Sequence, residues 1–110
     1  MSTVVGSRAE AVVAEFVEQH GMQVLDRNWR TRYCEVDIVG YKGNCVYFIE
    51  VKYRSGAKQG TGLDYITPQK LQRMRFAAEL WVGKHQWRGS YELLAAEVGP
   101  NFKLTKIVVV

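Results

Sequence analysis

The spacing of apolar residues along the chain predicts two helices and five strands. Apolar residues recur at helical spacing from about Val5 to His20, and Gly21 follows as a stop. Thr67 and Pro68 suit the N-cap and first position of a second helix, which we expect to run to about Val82. Five stretches rich in β-branched and aromatic residues predict the strands: residues 22–30, Tyr33–Tyr41, Asn44–Tyr53, Ser90–Val98 and Lys103–Val110.

This order of elements, α-β-β-β-α-β with one more strand at the end, predicts an α/β fold. The first three strands are joined by short turns, so they should form an antiparallel meander. The strand–helix–strand unit that follows should cross over and add a parallel strand. We therefore expect a mixed central sheet flanked by helices, in a single domain over residues 1–110 that can bury a core without disulfides.

Four charged residues interrupt the apolar pattern of the second and third strands. These residues, which lie among Val, Ile, Tyr and Phe, are Glu35, Asp37, Glu50 and Lys52. Charged side chains are costly to bury unless they are paired or hold a metal. Their placement therefore needs a physical reason, and the direction in which they point depends on the turn that joins the strands.

A two-residue turn at Lys42-Gly43 predicts that direction. It sets Glu35 opposite Glu50, and Asp37 opposite Phe48. Because side chains alternate along a strand, all four charges should share one face of the sheet. The opposite face should carry the main core, from Val36, Ile38, Tyr47, Ile49 and Val51. A slip of one residue would move the two charged pairs to opposite faces.

The charged face favours a metal site. Opposed carboxylates repel each other, and Lys52 offsets only part of that repulsion. A divalent cation such as Mg²⁺ would offset more, because it takes carboxylate oxygens as ligands. The alternative is a solvent-facing patch with cross-strand Glu–Lys pairs. Against it, Val39, Val46 and Phe48 share the face, which indicates that the face is partly covered.

The net charge of +4 weakly favours an anionic partner. Basic residues bracket the acidic cluster in sequence: Arg27, Arg30, Arg32, Arg54, Lys58, Lys70, Arg73 and Arg75. This placement is typical of a nucleic-acid-binding surface, although a solvated surface accounts for it equally well.

The chain contains no apolar run that approaches the roughly 20 residues of a transmembrane helix. Its start has acidic residues where a signal peptide would have an apolar centre, so we expect a cytoplasmic protein without a membrane partner. Cys34 and Cys45 lie too far apart along the predicted hairpin for a disulfide. With His20 and His85 they also lack the spacing of a zinc site, so we expect free thiols.

At the charged hairpin the sequence resembles a known pattern. Asp37, followed on the next strand by Glu50-Val51-Lys52, resembles the PD-(D/E)xK nuclease signature. The wider sequence resembles the YraN-like family of small uncharacterised proteins with an endonuclease-like fold. The motifs that carry this resemblance, in order, are GSRAE (6–10), RNWR (27–30), CEVDIV (34–39), FIEVKYR (48–54), Gln59-Gly60 and PQKLQRM (68–74). The departures lie outside the four charged positions, at Ala9, Cys34 and Tyr91-Glu92.

The resemblance implies a restriction-endonuclease-like core, similar to Holliday-junction resolvases and metal-dependent deoxyribonucleases. It implies that Asp37 and Glu50 ligate Mg²⁺ or Mn²⁺, with the Val51 carbonyl as a further ligand. Lys52 would then position or polarise the attacking water and stabilise the charge that develops during phosphodiester hydrolysis.

Other residues are candidates for supporting roles. Glu10 lies at the edge of the apolar stripe of the first helix, as an additional metal ligand or as the partner of a basic residue. Glu35 is open between metal support and a salt bridge. Candidate phosphate contacts are Lys70, Gln69, Arg73 and Arg54, with solvated surface as the alternative.

Three functions follow from these observations. A metal-dependent endonuclease acting on DNA, branched or single-stranded, is favoured because binding alone would not need Lys52 beside two carboxylates. The alternatives are a non-catalytic nucleic-acid-binding module on a nuclease fold and a protein-interaction domain that keeps the charges as ion pairs. DNA is favoured over RNA as the partner, and the sequence leaves a homodimer open.

Overall fold

The computed structural model describes residues 3–56 and 64–110. The elements are α1 (Val4–Gln19), β1 (Gln23–Arg30), β2 (Glu35–Lys42), β3 (Cys45–Tyr53), α2 (Pro68–His85), β4 (Ser90–Gly99) and β5 (Lys103–Val109). A short 3₁₀ helix, Pro100–Phe102, joins the last two strands. The predicted order α-β-β-β-α-β with a final strand is confirmed, whereas Lys58 and the Gln59-Gly60 motif lie outside the described residues.

The five strands form one mixed sheet in the order β1-β2-β3-β4-β5. Only β3 and β4 run parallel, joined through α2, while their outer neighbours pair antiparallel. Six of the ten residues of β4 are buried, whereas β3 has three buried and five partly buried residues, as expected for strands covered by helices on both faces of a sheet. The meander and the added parallel strand were both predicted from the sequence.

Each helix begins at a threonine cap. The Thr3 hydroxyl accepts a hydrogen bond from the Gly6 amide at 2.9 Å, and the Thr67 hydroxyl accepts one from the Lys70 amide at 3.1 Å. Pro68 occupies the first turn of α2, where its missing N–H is not needed. Neither helix of the described segments is long and apolar enough to cross a membrane.

The helices pack on opposite faces of the sheet. Val13 and Val17 of α1 pack in one cluster with Ile49 and with three residues of β4, Leu94, Ala96 and Val98. On the other face, Trp81 of α2 packs with Phe48, whose ring centroid lies 5.6 Å away in an edge-to-face arrangement. Alternate residues of β3 therefore enter different cores, which places the charged end of the hairpin between the two helices.

The predicted turn at Lys42-Gly43 is wrong, because the turn residues are Gly43 and Asn44 and Lys42 pairs with Cys45. Gly43 and Asn44 have φ values of 58° and 62°. A hairpin turn of this kind needs positive φ at both central residues, which glycine and asparagine adopt and lysine resists. Both cysteines are free, as predicted.

The correct turn changes the pairing of β2 with β3. Ile38 faces Ile49, and the same register continued by one residue sets Asp37 opposite Glu50. The predicted pairs of Glu35 with Glu50 and of Asp37 with Phe48 are therefore wrong. The error is two residues, an even number, so the predicted faces survive for most side chains.

Val36 is the exception to the predicted faces. We expected it in the same core as Ile38, but it packs with Val39 and Phe48 on the α2 side. The pairing of β2 with β3 ends at Ile38. Beyond it, the Val51 amide of β3 donates a hydrogen bond to the side-chain atom Oδ2 of Asp37. Regular alternation therefore fails at this end of β2.

Candidate active site

The candidate site forms where β2 and β3 stop pairing. The Val51 amide donates a hydrogen bond of 2.8 Å to Asp37 Oδ2, so the carboxylate of Asp37 lies against the main chain of β3. On its other side β3 stays paired with β4 as far as Tyr53 and Val98. The segment Glu50–Lys52 is therefore held on an ordered strand although it has lost its β2 neighbour.

Asp37 has a strongly altered acidity. Burial raises the pKa of its carboxyl group from 3.8 to about 7, and the neighbouring Glu50 carboxylate is the next largest cause. Glu10 and Glu35 raise the pKa further, whereas the hydrogen bond from the Val51 amide lowers it. Burial and three acidic neighbours thus disfavour the ionised form of Asp37, which favours a proton or a cation at this carboxyl group.

Glu50 is joined to the second helix by an ion pair. Its Oε2 atom lies 3.0 Å from Lys70 Nζ, and the two side chains are 19% and 34% exposed. Lys70 was predicted as a phosphate contact, and in the structure its ammonium group pairs with Glu50. The pair connects the carboxylate cluster directly to the first turn of α2.

The first helix and the start of β2 supply the remaining acidic groups. Glu10 is only 5% exposed and lies close enough to Asp37 to raise its pKa. Glu35 forms a salt bridge of 3.0 Å with Arg30 Nη2, so one of its two predicted roles is present in the structure. Both carboxylates stay candidates for supporting a bound cation.

Two cavities meet at the acidic cluster and share the wall formed by Glu35, Asp37 and Glu50. The cavity on the α2 side has a volume of about 190 Å³ and adds Tyr33, Cys34, Lys70, Arg73, Met74 and Phe76. The cavity on the α1 side has a volume of about 360 Å³ and adds mainly Thr3, Gly6, Glu10, Val51, Lys52 and Tyr53. A linear ligand that occupied both cavities would pass across the carboxylates.

The predicted basic residues have different surroundings. Lys52 is exposed in the α1-side cavity and forms no ion pair with the acidic side chains of residues 3–56 and 64–110. The Arg54 side chain is 13% exposed and pairs with Asp64 at 2.9 Å and Glu97 at 3.5 Å. Gln69 is exposed on α2 but does not line either cavity, whereas Arg73 does. The structure thus brings Lys52, Lys70 and Arg73 to the cavities and places Arg54 in its own ion-pair network.

Two aromatic residues of the α2-side cavity were missed at the level of sequence. Phe76 falls outside the buried stripe of α2, which is formed by Met74, Ala77, Ala78 and Trp81. An aromatic residue off the apolar stripe of a helix is a usable signal for a binding surface. Tyr33 was assigned to the second strand, but that strand begins two residues later, at Glu35.

The donor atoms suit a hard cation, although they are not gathered into a cage. In the part of the chain that the structure describes, no three His, Cys, Asp or Glu side chains are grouped so as to hold a metal ion. The Glu50 carboxylate faces Lys70, and Asp37 accepts the Val51 amide. Burial and, after it, repulsion from the neighbouring carboxylates raise the Asp37 pKa, which favours a positive charge beside the cluster. All of its donors are carboxylate oxygens, the ligands that Mg²⁺ and Mn²⁺ prefer.

The sequence is similar to a large group of bacterial proteins without an assigned activity. The model of "Uncharacterised protein family UPF0102" matches residues 9–107. A UPF0102 protein of Rhodococcus jostii (strain RHA1) is 35% identical over 97 residues, which cover 86% of this chain and 82% of the relative. Another, of Kineococcus radiotolerans, is 43% identical over 81 residues, or 74% and 66% of the two chains. A third, of Methylococcus capsulatus, is 32% identical over 96 residues, or 87% and 78%.

Proposed function

The chain belongs to the uncharacterised family UPF0102, and from its own residues we propose that it is a metal-dependent nuclease that hydrolyses DNA. The observation that carries the proposal is the acidic cluster around Asp37, whose pKa is raised to about 7 in a site that also contains an exposed lysine. Buried carboxylates that repel one another beside a lysine are typical of a centre that holds a cation and acts on a phosphodiester.

The fold and the signature residues support this proposal. Asp37, Glu50 and Lys52 line one cavity although they come from two strands. The element order around them is the one expected of a restriction-endonuclease-like core. That the three residues of the PD-(D/E)xK signature share one cavity supports the proposal.

Each residue then has a chemical role. Asp37 and Glu50 would hold Mg²⁺ or Mn²⁺, with Glu10 and the Val51 carbonyl as further ligands. When bound, the cation supplies Lewis-acid neutralisation of the developing negative charge. Lys52 positions the attacking water, whose oxygen bonds to phosphorus while the bond from phosphorus to the leaving oxygen breaks. The attacking water gives up one proton to solvent and the leaving oxygen takes up one, so that the reaction consumes one water molecule for each bond cut.

The ion pair between Lys70 and Glu50 links substrate binding to this chemistry. A phosphate group at the start of α2 competes with Glu50 for the Lys70 ammonium group. Once Lys70 turns to the phosphate, the Glu50 carboxylate is free to act as a ligand. The metal-binding arrangement would therefore be completed by the nucleic acid.

The test is a cleavage assay on branched, single-stranded and duplex DNA with Mg²⁺ or Mn²⁺. Lys52→Ala should lower the cleavage rate at least about 100-fold, a typical loss when a group that stabilises transition-state charge is removed. Its DNA affinity should stay nearly unchanged, because one charge contributes little to a distributed phosphate interface. Lys103→Ala, which removes an exposed lysine from β5, is the matched control. A wild type that cleaves none of these substrates with either metal would refute the proposal.

A non-catalytic nucleic-acid-binding module is the second candidate. The observation in its favour is that Glu50 is already neutralised by Lys70, and no group of ligands stands ready in the described residues. This function predicts salt-sensitive DNA binding in every variant and cleavage in none.

A further inference from the structure

We propose that the α2-side cavity binds one unpaired nucleobase beside the bond to be cut, so that the substrate is single-stranded at this position. The position of the cut rests on the nuclease function proposed above, whereas binding of the base does not. The residues that carry the inference are Tyr33, Lys70, Arg73 and Phe76, together called the base pocket below.

Two exposed aromatic side chains line the base pocket. Tyr33 is 72% exposed and Phe76 is 47% exposed, and both belong to the same cavity. The other large apolar side chains left exposed in the described residues are aliphatic. Exposed aromatic faces are the platforms on which proteins stack the bases of single strands. Tyr33 and Phe76 therefore fit a planar apolar ligand better than a purely ionic one.

Positive charges accompany both rings. Lys70, Arg73 and Phe76 follow one another at intervals of three residues along α2, which puts them on neighbouring turns of one helix face. The Arg32 guanidinium carbon lies 5.4 Å from the ring centroid of Tyr33. Rings bordered by cations match the alternation of base and phosphate along a single strand.

The size of the base pocket limits what it can hold. Its volume of about 190 Å³ is below the roughly 300 Å³ at which pockets for drug-sized ligands begin. One ring system fits such a cavity, and a stacked pair of bases does not. A base in duplex DNA would first have to be unstacked and unpaired, which costs a few kcal/mol, whereas a single strand offers its bases directly.

The position of the base pocket ties it to the acidic cluster. Glu35, Asp37 and Glu50 line the base pocket and also line the second cavity, which contains Lys52. A nucleotide whose base lies between Tyr33 and Phe76 therefore has its sugar–phosphate close to the carboxylates. The base pocket would thus align the strand for the proposed cleavage.

The experiment measures binding by fluorescence anisotropy, in EDTA, with three labelled probes. They are a thymidine dodecamer, an all-abasic dodecamer of the same charge, and a duplex of the same length. Wild type should prefer thymidine over the abasic probe by about fivefold to 150-fold, the range given by stacking energies of about 1–3 kcal/mol per base. Tyr33→Leu and Phe76→Leu should each reduce this preference, and the double variant should abolish it without weakening abasic binding.

Two further variants separate stacking from general effects. Tyr33→Trp should keep the preference, because tryptophan retains an aromatic face whereas leucine does not. Leu25→Ala, at an exposed apolar residue of β1 that lines neither cavity, should leave all three affinities unchanged. Equal binding of thymidine and abasic probes by wild type, or an undiminished preference in the double variant, overturns the proposal.

The same experiment distinguishes this proposal from the proposed nuclease function. A thymidine preference that is lost in the double variant supports the base pocket even if wild type cleaves no DNA, in which case only the nuclease function falls. Cleavage by wild type together with equal binding of the thymidine and abasic probes has the opposite meaning. That result contradicts the proposed base pocket and leaves the proposed nuclease function intact.

Discussion

The two ends of the β2–β3 hairpin satisfy their main-chain hydrogen-bonding groups in different ways. At the turn, Gly43 and Asn44 adopt left-handed conformations and the strands stay paired as far as Lys42 and Cys45. At the open end, pairing stops after Ile38, and the Asp37 carboxylate accepts the Val51 amide. One end is regularly paired, whereas the other replaces a main-chain acceptor with a charged side chain.

This difference decides how many neighbouring strands hold each end of β3. At the open end β3 loses one neighbour but keeps β4, so Glu50 and Lys52 remain on a fixed strand while their side chains reach two cavities. The turn end has no such freedom, because both neighbours of β3 are paired there. We therefore expect changes at the open end to alter ionisation and binding, and changes at the turn to alter stability alone.

Asp37→Asn should have the largest effect. The pKa of this carboxyl group rises from 3.8 to about 7 on folding, so the folded state holds its proton more tightly than the unfolded state. The stability gained in this way is complete below the unfolded pKa and is lost as pH rises through the folded pKa. Without metal, ionisation of Asp37 should therefore lower the free energy of unfolding by up to about 4 kcal/mol between about pH 4 and 8.

Asparagine cannot ionise, so the variant should gain stability relative to wild type as pH rises. The measurement is urea denaturation at several pH values in EDTA, with Glu92→Gln, an exposed carboxylate of β4, as the control. Parallel pH profiles for wild type and Asp37→Asn would contradict the raised pKa.

Gly43→Ala tests the regular end of the hairpin. The glycine has a φ of 58°, and a methyl group there would meet no atom within 4 Å, so the whole cost is the backbone conformation. That cost is about 1–2 kcal/mol for a residue with a Cβ atom, or a melting temperature lower by roughly 5–10 °C. Metal affinity and any cleavage per folded molecule should stay unchanged, since the turn is remote from Asp37.

Gly56→Ala is a matched control for that change. Its added methyl group also meets no atom within 4 Å, but this glycine does not have the positive φ of Gly43. It should melt close to wild type. A loss of metal affinity in Gly43→Ala, measured on folded protein, would show that the two ends of the hairpin are coupled.

The contrast between the two ends also shows which features of the fold could be predicted from the sequence and which could not. Apolar periodicity, together with cap and turn residues, was enough to predict both α-helices, all five strands and the mixed sheet, but not the 3₁₀ helix Pro100–Phe102. The turn was misplaced by one residue, yet most apolar side chains of β2 and β3 kept their predicted faces because the pairing moved by two residues. Val36 was assigned to the wrong face because the alternation rule assumes that β2 stays paired with β3. That pairing ends at Ile38, so Val36 lies outside it.

Contacts between distant elements could not be predicted in the same way. The ion pair of Lys70 with Glu50 depends on where α2 crosses the sheet, and a basic residue on a helix gives no sign of its partner. The burial of Arg54 against Glu97 likewise depends on the register of β3 with β4. Sequence predicted the residue types of the candidate site, whereas tertiary packing decided which of them are already paired.

Lys70→Met should give the smallest effect and the most specific one. The ion pair with Glu50 is partly exposed, so its loss should change stability by no more than about 1 kcal/mol. Without Lys70, the Glu50 carboxylate is free to bind a cation in the absence of nucleic acid. We expect calorimetric titration with Mn²⁺ to show an affinity about fivefold higher than that of wild type, a gain of roughly 1 kcal/mol.

Arg73→Met is the control for the Lys70 variant, because it removes a positive charge from the same helix and cavity without breaking the ion pair. General electrostatics would raise the Mn²⁺ affinity of both variants alike, whereas release of Glu50 raises it mainly in Lys70→Met. The double variant Lys70→Met/Glu50→Gln should lose the gain in Mn²⁺ affinity, since the carboxylate that Lys70→Met releases is then absent. Equal Mn²⁺ affinities of wild type and Lys70→Met would show that Lys70 does not hold Glu50 away from a cation, and that phosphate and metal bind independently.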